Sequence, residues 1–290
     1  MYLEYWNLKS EPFQNVTDIR FAYLSEQHRE GLARLVYLVK SRKLGGCLVG
    51  PFGVGKSMVL ELLAEYMADQ RDTRFFRFDA LPGGVMVIAR QILEQFGVQT
   101  PPTSVADALQ AIQAFCREAR PGFDQAVLMI DEAQMIRDPD AFDYIHLLTN
   151  IRIPVRNGQG EYPAFTVILA GHSKLADDIA HHESLKQRLQ LLWRLDPLTE
   201  QQTFQYIQHR MHVAGGDIWV FEEPALAVVY ASSRGLPRII NNICDIALLL
   251  GQAAHQPRIT RDVVLQAARD VQAPGLVETP PDGGAPENPA

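Results

Sequence analysis

Eight residues constrain this chain more than any others: Gly50-Pro51-Phe52-Gly53-Val54-Gly55-Lys56-Ser57 has the spacing G-x-x-x-x-G-K-[ST]. The pattern is functional only where a strand runs into the loop and a helix leaves it. Gly46-Cys47-Leu48-Val49 reads as that strand, buried, and Met58 to Met67 as that helix. Glycines let the backbone curl until successive N–H groups face one anion, and the helix behind adds the positive end of its dipole. The spacing therefore predicts a cradle for a nucleoside triphosphate built from Gly50, Pro51, Phe52, Gly53, Val54, Gly55, Lys56, Ser57 and Met58. Within it Lys56 is expected to bridge the β- and γ-phosphates and the Ser57 hydroxyl to hold Mg²⁺. The alternative is a glycine-rich turn that happens to contain a lysine.

Such a cradle needs an acid beside the metal. Ala126 to Ile130 is an apolar run ending at Asp131-Glu132. One carboxylate can support the Mg²⁺ shell, commonly through water, while its neighbour polarises a water in line with the γ-phosphate. Asp131 is assigned to the metal with Ser57, and Glu132 to the water. In isolation the pair would read as an exposed acidic turn.

The remaining pattern alternates. Arg74-Phe75-Phe76-Arg77-Phe78 reads as a strand, and Val85, Ile88, Ala89, Ile92 and Phe96 as a helical stripe. Ser104 with Asp107 resembles a capping box ahead of a helix carrying Val105, Ala108, Ile112 and Phe115. A helix around 141–151, a polar loop from Ile153 to Pro163, a strand from Phe165 to Ala170 and a fifth strand from Leu191 to Leu195 follow. This alternation predicts an α/β fold, a mostly parallel sheet sandwiched by helices, with ligands at the carboxyl ends of the strands. The phosphate loop, Asp131-Glu132 and Gly171-His172-Ser173 all follow such ends.

Ahead of this, Ser25 can cap a helix with Leu32, Leu35, Val36 and Val39 on one face; Glu11-Pro12-Phe13 and Phe21-Ala22-Tyr23-Leu24 read as an irregular strap lying across the core. Tyr23 and His28 are read as packing residues, with contact to adenine as the alternative. From Thr199 the pattern is helical only. Thr199 with Gln202 makes a capping box, Pro224 and Pro237 suit first turns, and Ile240, Ile243, Cys244, Ala247 and Leu248 form a core-facing stripe. The expected layout is an N-terminal strap and helix over 1–39, a nucleotide-binding α/β domain over 40–198, a small all-α lid over 199–272 and a disordered Pro-rich tail over 273–290.

Three cysteines, Cys47, Cys116 and Cys244, lie far apart in apolar patterns and read as buried free thiols. Of the net charge of −7, three negative charges come from Glu278, Asp282 and Glu287 in the tail, which leaves −4 for the body. A body of that sign offers no global attraction for nucleic acid. With no apolar run near the roughly 20 residues that span a bilayer and no signal-peptide pattern, the chain is expected in the cytoplasm, free to dock on a membrane complex.

Gly50 to Ser57, Leu128-Met129-Ile130-Asp131-Glu132-Ala133-Gln134, the loop after the fourth strand and Gly235-Leu236-Pro237-Arg238 occur in the order found in AAA+ ATPases, P-loop NTPases with a helical lid. More narrowly, Tyr5 to Phe13, Tyr23-Leu24-Ser25 and Leu236 to Asp245 resemble the general secretion pathway protein A (ExeA-type) group. The resemblance, over roughly residues 1–270, implies ATP and Mg²⁺ as ligands, Asp131 and Glu132 as the Walker B pair, and Arg238 as the sensor 2 arginine reaching the γ-phosphate from the lid. It also implies Arg188, in Leu185-Lys186-Gln187-Arg188-Leu189, as the arginine finger that completes a neighbouring subunit's site, hence a homo-oligomer. His172 stands near the sensor 1 position, where such families often have a polar amide. Without the resemblance, Arg188 reads as a surface charge, Arg238 as a charge paired within the lid and His172 as a turn residue.

In that group a transmembrane segment and a peptidoglycan-binding region often follow the ATPase domain; here a short acidic Pro-rich stretch follows, so membrane and wall roles are not expected. The leading expectation is a cytoplasmic ATPase that rearranges a secretion, pilus or exopolysaccharide complex. Two alternatives stand beside it: a DNA-bound matchmaker of the transposition-regulator type, disfavoured by the acidic body, and a nucleotide-gated scaffold with negligible turnover.

Overall fold

A computed structural model of the chain describes residues 2–70, 72–98, 100–117, 124–154 and 159–271. The chain divides into two compact units, Val16–Leu198 and Met1–Asn15 with Thr199–Ala290. The short helix α1 (Tyr2–Tyr5) belongs to the second. The first holds α2 (Glu26–Lys40), β1 (Gly45–Val49), α3 (Lys56–Tyr66), β2 (Thr73–Asp79), α4 (Val85–Gln95), α5 (Val105–Arg117), β3 (Gln125–Asp131) and α6 (Pro139–Leu148). It continues through β4 (Arg152–Pro154), β5 (Glu161–Pro163), β6 (Phe165–Gly171), α7 (Lys174–Ala180), α8 (Glu183–Lys186) and β7 (Leu189–Arg194).

The main sheet has the order β2-β3-β6-β1-β7, every neighbouring pair parallel. The three inner strands are buried at every position. This is why they read as unbroken apolar runs, as strands covered on both faces do. The edge strand β7 alternates half-buried and exposed residues, from Leu189 to Arg194. Phe96 stacks on Phe115 at 4.2 Å between centroids and lies 5.9 Å from Phe165, whose side chain is fully buried. Phe165→Ala is expected to cost this unit about 3–5 kcal/mol, the transfer loss plus an unfilled cavity. Urea unfolding followed by circular dichroism measures it, and a loss below about 1 kcal/mol would mean that the ring's neighbours close the cavity.

Two expectations are corrected here. The segment 153–163 is not wholly a loop: β4 and β5 pair antiparallel, Ile153 opposite Tyr162, while residues 155–158 lie outside those described. The ribbon escaped notice because both strands are three residues long and end in proline. At the start of α2, Ser25 has cap backbone geometry, but its hydroxyl bonds no first-turn amide. Ser104, by contrast, does accept from the Asp107 amide at 3.1 Å. The Asp107 carboxylate reaches back to the Ser104 backbone N–H, as that box expects, and also accepts from the Thr103 hydroxyl.

The second unit contains α1, α9 (Glu200–Val213), α10 (Glu223–Ser233), α11 (Pro237–Ala253) and α12 (Arg261–Val271). Thr199 and Gln202 form the reciprocal capping box at α9. Ile240, Ile243, Cys244, Ala247 and Leu248 are all fully buried, as the stripe on α11 predicts. The first fifteen residues belong to this unit, which corrects the expected strap over 1–39. Buried Trp6 donates its indole N–H to the Leu248 carbonyl at 2.9 Å. Arg210, also buried, donates to the backbone carbonyls of Pro12 and Gln14, and Asn241 to the Asn15 side chain. A buried guanidinium must find acceptors, and the irregular segment supplies them with its main chain. The stretch 272–290, read from sequence as a disordered tail, lies outside the described residues.

Candidate functional site

β1 delivers Val49 to the sheet edge, and the chain turns at once into the phosphate loop. Gly50 N donates to the Gly171 carbonyl at 3.2 Å, tying the start of the loop to the end of β6. Gly53 and Gly55 have φ of 74° and 110°, the left-handed region that residues with a β-carbon avoid. Gly55 is also the N-cap of α3, so the helix starts inside the loop at Lys56. A helix amino terminus directed at a tight glycine turn is an anion site.

Lys56 is buried, its ammonium 3.0 Å from both the Gly50 and the Pro51 carbonyl oxygens. These two carbonyls hold the cation over the loop. Ser57, the next residue, donates its hydroxyl to Asp131 Oδ2 at 2.6 Å, so the expected metal pair is assembled. Asp131 is 2% exposed at its side chain, and its charge is balanced by Arg77 on β2, whose Nη2 lies 3.0 Å from the same oxygen. Arg77 also reaches Glu61 on α3 at 2.8 Å. A hydroxyl and a carboxylate side by side are oxygen donors of the kind Mg²⁺ takes while keeping several waters, so these residues fit that ion.

Glu132 has φ 50° and ψ 32°, a left-handed conformation unfavourable for a residue with a β-carbon. Its backbone N–H donates to Asp131 Oδ1 at 3.0 Å, and its carboxylate accepts from the Gln134 side chain. The other end of that amide accepts from the His172 backbone N–H at 2.9 Å. Gln134 therefore joins the end of β3 to the end of β6. The His172 ring is turned elsewhere: it stacks on Phe52 of the phosphate loop, 4.8 Å between centroids and 20° from parallel. Phe52, Gln134 and His172 share a cavity of about 650 Å³ with Arg137, Phe142 and His182.

Lys56, Ser57, Asp131, Glu132 and the His172 backbone thus meet at one end of the sheet. Arg188 does not join them. It precedes β7 and the phosphate loop follows β1; these strands pair in parallel, Gly45 opposite Leu189. A strand's length of about 20 Å therefore lies between them. Arg238 is exposed, at the second position of α11 in the helical unit. A cation there opposes the helix dipole, so helix stability does not account for it. Of the adenine candidates, His28 is buried with both ring nitrogens committed, to Ser25 and to the Val54 carbonyl. Arg77 and Gln134 were missed in the sequence. Arg77 is one of two arginines in a short strand, and only the register Phe78↔Ile130, Asp79↔Asp131 places it near the acid. Gln134 lay within the Asp-Glu-Ala-Gln string, but its reach across to β6 needs the strand order.

The family model described as an AAA domain matches residues 39–178. General secretion pathway protein A of Aeromonas hydrophila is 27% identical over 281 residues, 93% of this chain and 48% of that protein; the chain spans about half the length of that curated relative. Among solved structures, Cdc6p from Pyrobaculum aerophilum superposes with a TM-score of 0.69 at 18% identity, over 88% of this chain and 71% of that one. An Aeropyrum pernix ORC2 structure with ADPNP and ADP gives 0.66 at 15%, over 88% and 72%. A Thermotoga maritima RuvB mutant gives 0.56 at 16%, over 86% and 70%. At these identities the solved structures speak for the fold alone, a parallel sheet with helices matching the ORC, Cdc6 and RuvB folds. Residues 39–178 thus match an AAA domain, and over most of its length the chain resembles general secretion pathway protein A.

Proposed function

We propose that the chain binds ATP with Mg²⁺ in the Gly50–Ser57 loop, hydrolyses it, and as a cytoplasmic homo-oligomer uses the cycle to rearrange a secretion, pilus or exopolysaccharide complex. The observation that carries this reading is the Ser57 hydroxyl bonded to Asp131 at 2.6 Å with Glu132 next in the chain. The likeness to general secretion pathway protein A supports the choice of partner system. Among the described residues no helix is long and apolar enough to cross a membrane.

In the proposed chemistry the loop amides and Lys56 hold the β- and γ-phosphates, withdrawing charge from the terminal phosphoryl group. Ser57 and Asp131 would hold Mg²⁺, which when bound neutralises charge shared between the two phosphates. Glu132 accepts a proton from a water as the water oxygen bonds to the γ-phosphorus. The bond from that phosphorus to the bridging oxygen breaks, and ADP and phosphate leave. Arg238 is proposed to respond to the γ-phosphate through the helical unit, and Arg188 to serve the site of a neighbouring copy.

The Arg188 role is tested by Arg188→Ala. ATP binding per chain is expected to stay within about twofold of wild type, while the rise of specific activity with protein concentration disappears. Phosphate release measured across a hundredfold dilution series checks it; an unchanged concentration dependence would remove Arg188 from the reading. The partner is tested by identifying what copurifies with the Glu132→Gln protein in ATP, with the nucleotide-free sample as control. ATP-dependent recovery of a secretion or surface-assembly component is expected, and recovery that ignores ATP would contradict a nucleotide-driven role.

A further inference from the structure

The outer side of the phosphate loop is held by two residues that the proposed chemistry does not use. Ser25 stands where a helix cap would donate its oxygen to a first-turn amide, yet no such bond forms at α2. Its hydroxyl lies instead 2.6 Å from His28 Nδ1, and His28 Nε2 lies 3.0 Å from the Val54 carbonyl oxygen. Both side chains are buried, at 2% and 4% exposure, so they face each other and the loop rather than solvent.

The partners fix the tautomer. A carbonyl oxygen only accepts, so Nε2 carries the hydrogen, and Nδ1 accepts the Ser25 hydroxyl hydrogen. Burial lowers the imidazole pKa, outweighing the opposite pull of the Val54 bond, so the ring is held neutral. A trans peptide is planar, with its C=O and N–H directed oppositely. Pinning the Val54 carbonyl against His28 therefore turns the Gly55 N–H away from the ring. The contact is close: a β-carbon built on Gly55 would lie 3.0 Å from His28 Nε2.

We propose that Ser25 and His28 form a buttress that presets the Val54–Gly55 peptide for phosphate, making His28 a positioning residue for nucleotide binding. This rests on the ATP-binding reading above. A buttress of this kind lowers the ordering cost of binding rather than the barrier to hydrolysis, so it acts on affinity and KM more than on kcat.

The test is titration of the full chain with a non-hydrolysable ATP analogue and Mg²⁺, with KM and kcat measured alongside. Loss of one buried donor in His28→Leu is expected to weaken binding about tenfold, with a smaller fall in kcat. His28→Gln, whose amide can donate to the same carbonyl, should stay within about threefold of wild type, and Ser25→Ala should weaken binding about threefold. The buttress is overturned if His28→Leu binds as wild type while Lys56→Ala does not, or if His28→Gln is as weak as His28→Leu, which would trace the effect to packing. If His28→Leu does not fold, Ser25→Ala binding as wild type overturns it. Lys56→Ala binding as tightly as wild type would instead refute the ATP-binding reading itself.

Discussion

Glu132→Gln is expected to retain ATP and lose turnover, with kcat falling at least about a hundredfold, the lower range for removing a positioned general base. Glutamine keeps the length of the side chain and a carbonyl oxygen that can accept from the Gln134 amide now bonded to Glu132. It keeps the shape of the corner at φ 50° but cannot take a proton from water. Nucleotide affinity should stay within about threefold of wild type, because the residue stands beyond the amides and Lys56 that are proposed to hold the phosphates. Release of phosphate under single-turnover conditions is the measurement; hydrolysis at the wild-type rate would remove Glu132 from the mechanism.

The second large effect is on binding. Lys56→Ala removes a buried ammonium that sits 3.0 Å from two carbonyl oxygens and is placed to move onto a polyanion. Charge-assisted bonds of this kind are worth about 1.5–3 kcal/mol each, so ATP affinity should fall about a hundredfold or more. The fold should survive, since the loop's turns are set by its own glycines and the apolar core of the sheet does not depend on the cation. Calorimetric titration with ATP and Mg²⁺, beside a thermal unfolding curve, separates the two effects. Affinity within about threefold of wild type would refute the assignment of Lys56 to the phosphates.

What was legible in the sequence follows from how local each signal is. The phosphate loop is a string of eight residues whose geometry is set by its own glycines, and β3 is an apolar run ending at its two acids. Both therefore announce themselves without any knowledge of neighbours. That they meet depends on β6 lying between β1 and β3, an order that alternation predicts only as a parallel sheet. Contacts made across that order stayed hidden: Arg77 on Asp131, Gln134 between Glu132 and His172, and His28 on Val54. The N-terminal fifteen residues were misread for a related reason. Irregular chain has no period to show which core it serves, and the acceptors needed by buried Arg210 decided it.

His172 illustrates the other limit. Its position after β6 reads as near sensor 1 or as a turn residue; in the structure the ring stacks on Phe52 and the backbone N–H makes the contact with Gln134. An exposed aromatic side chain in the phosphate loop gives no sequence sign of having a partner, and Phe52 is 56% exposed even with His172 against it.

A single filter-binding and phosphate-release assay decides whether one ATP is held and cleaved between Gly50–Ser57 and Asp131–Glu132. Purified chain is mixed with γ-labelled ATP, with Mg²⁺ or with chelator, and bound label and free phosphate are followed together. About one nucleotide bound per chain is expected, with phosphate that appears only with Mg²⁺. A chain that binds no ATP at millimolar concentration, or that releases phosphate equally in chelator, would contradict the ATPase reading.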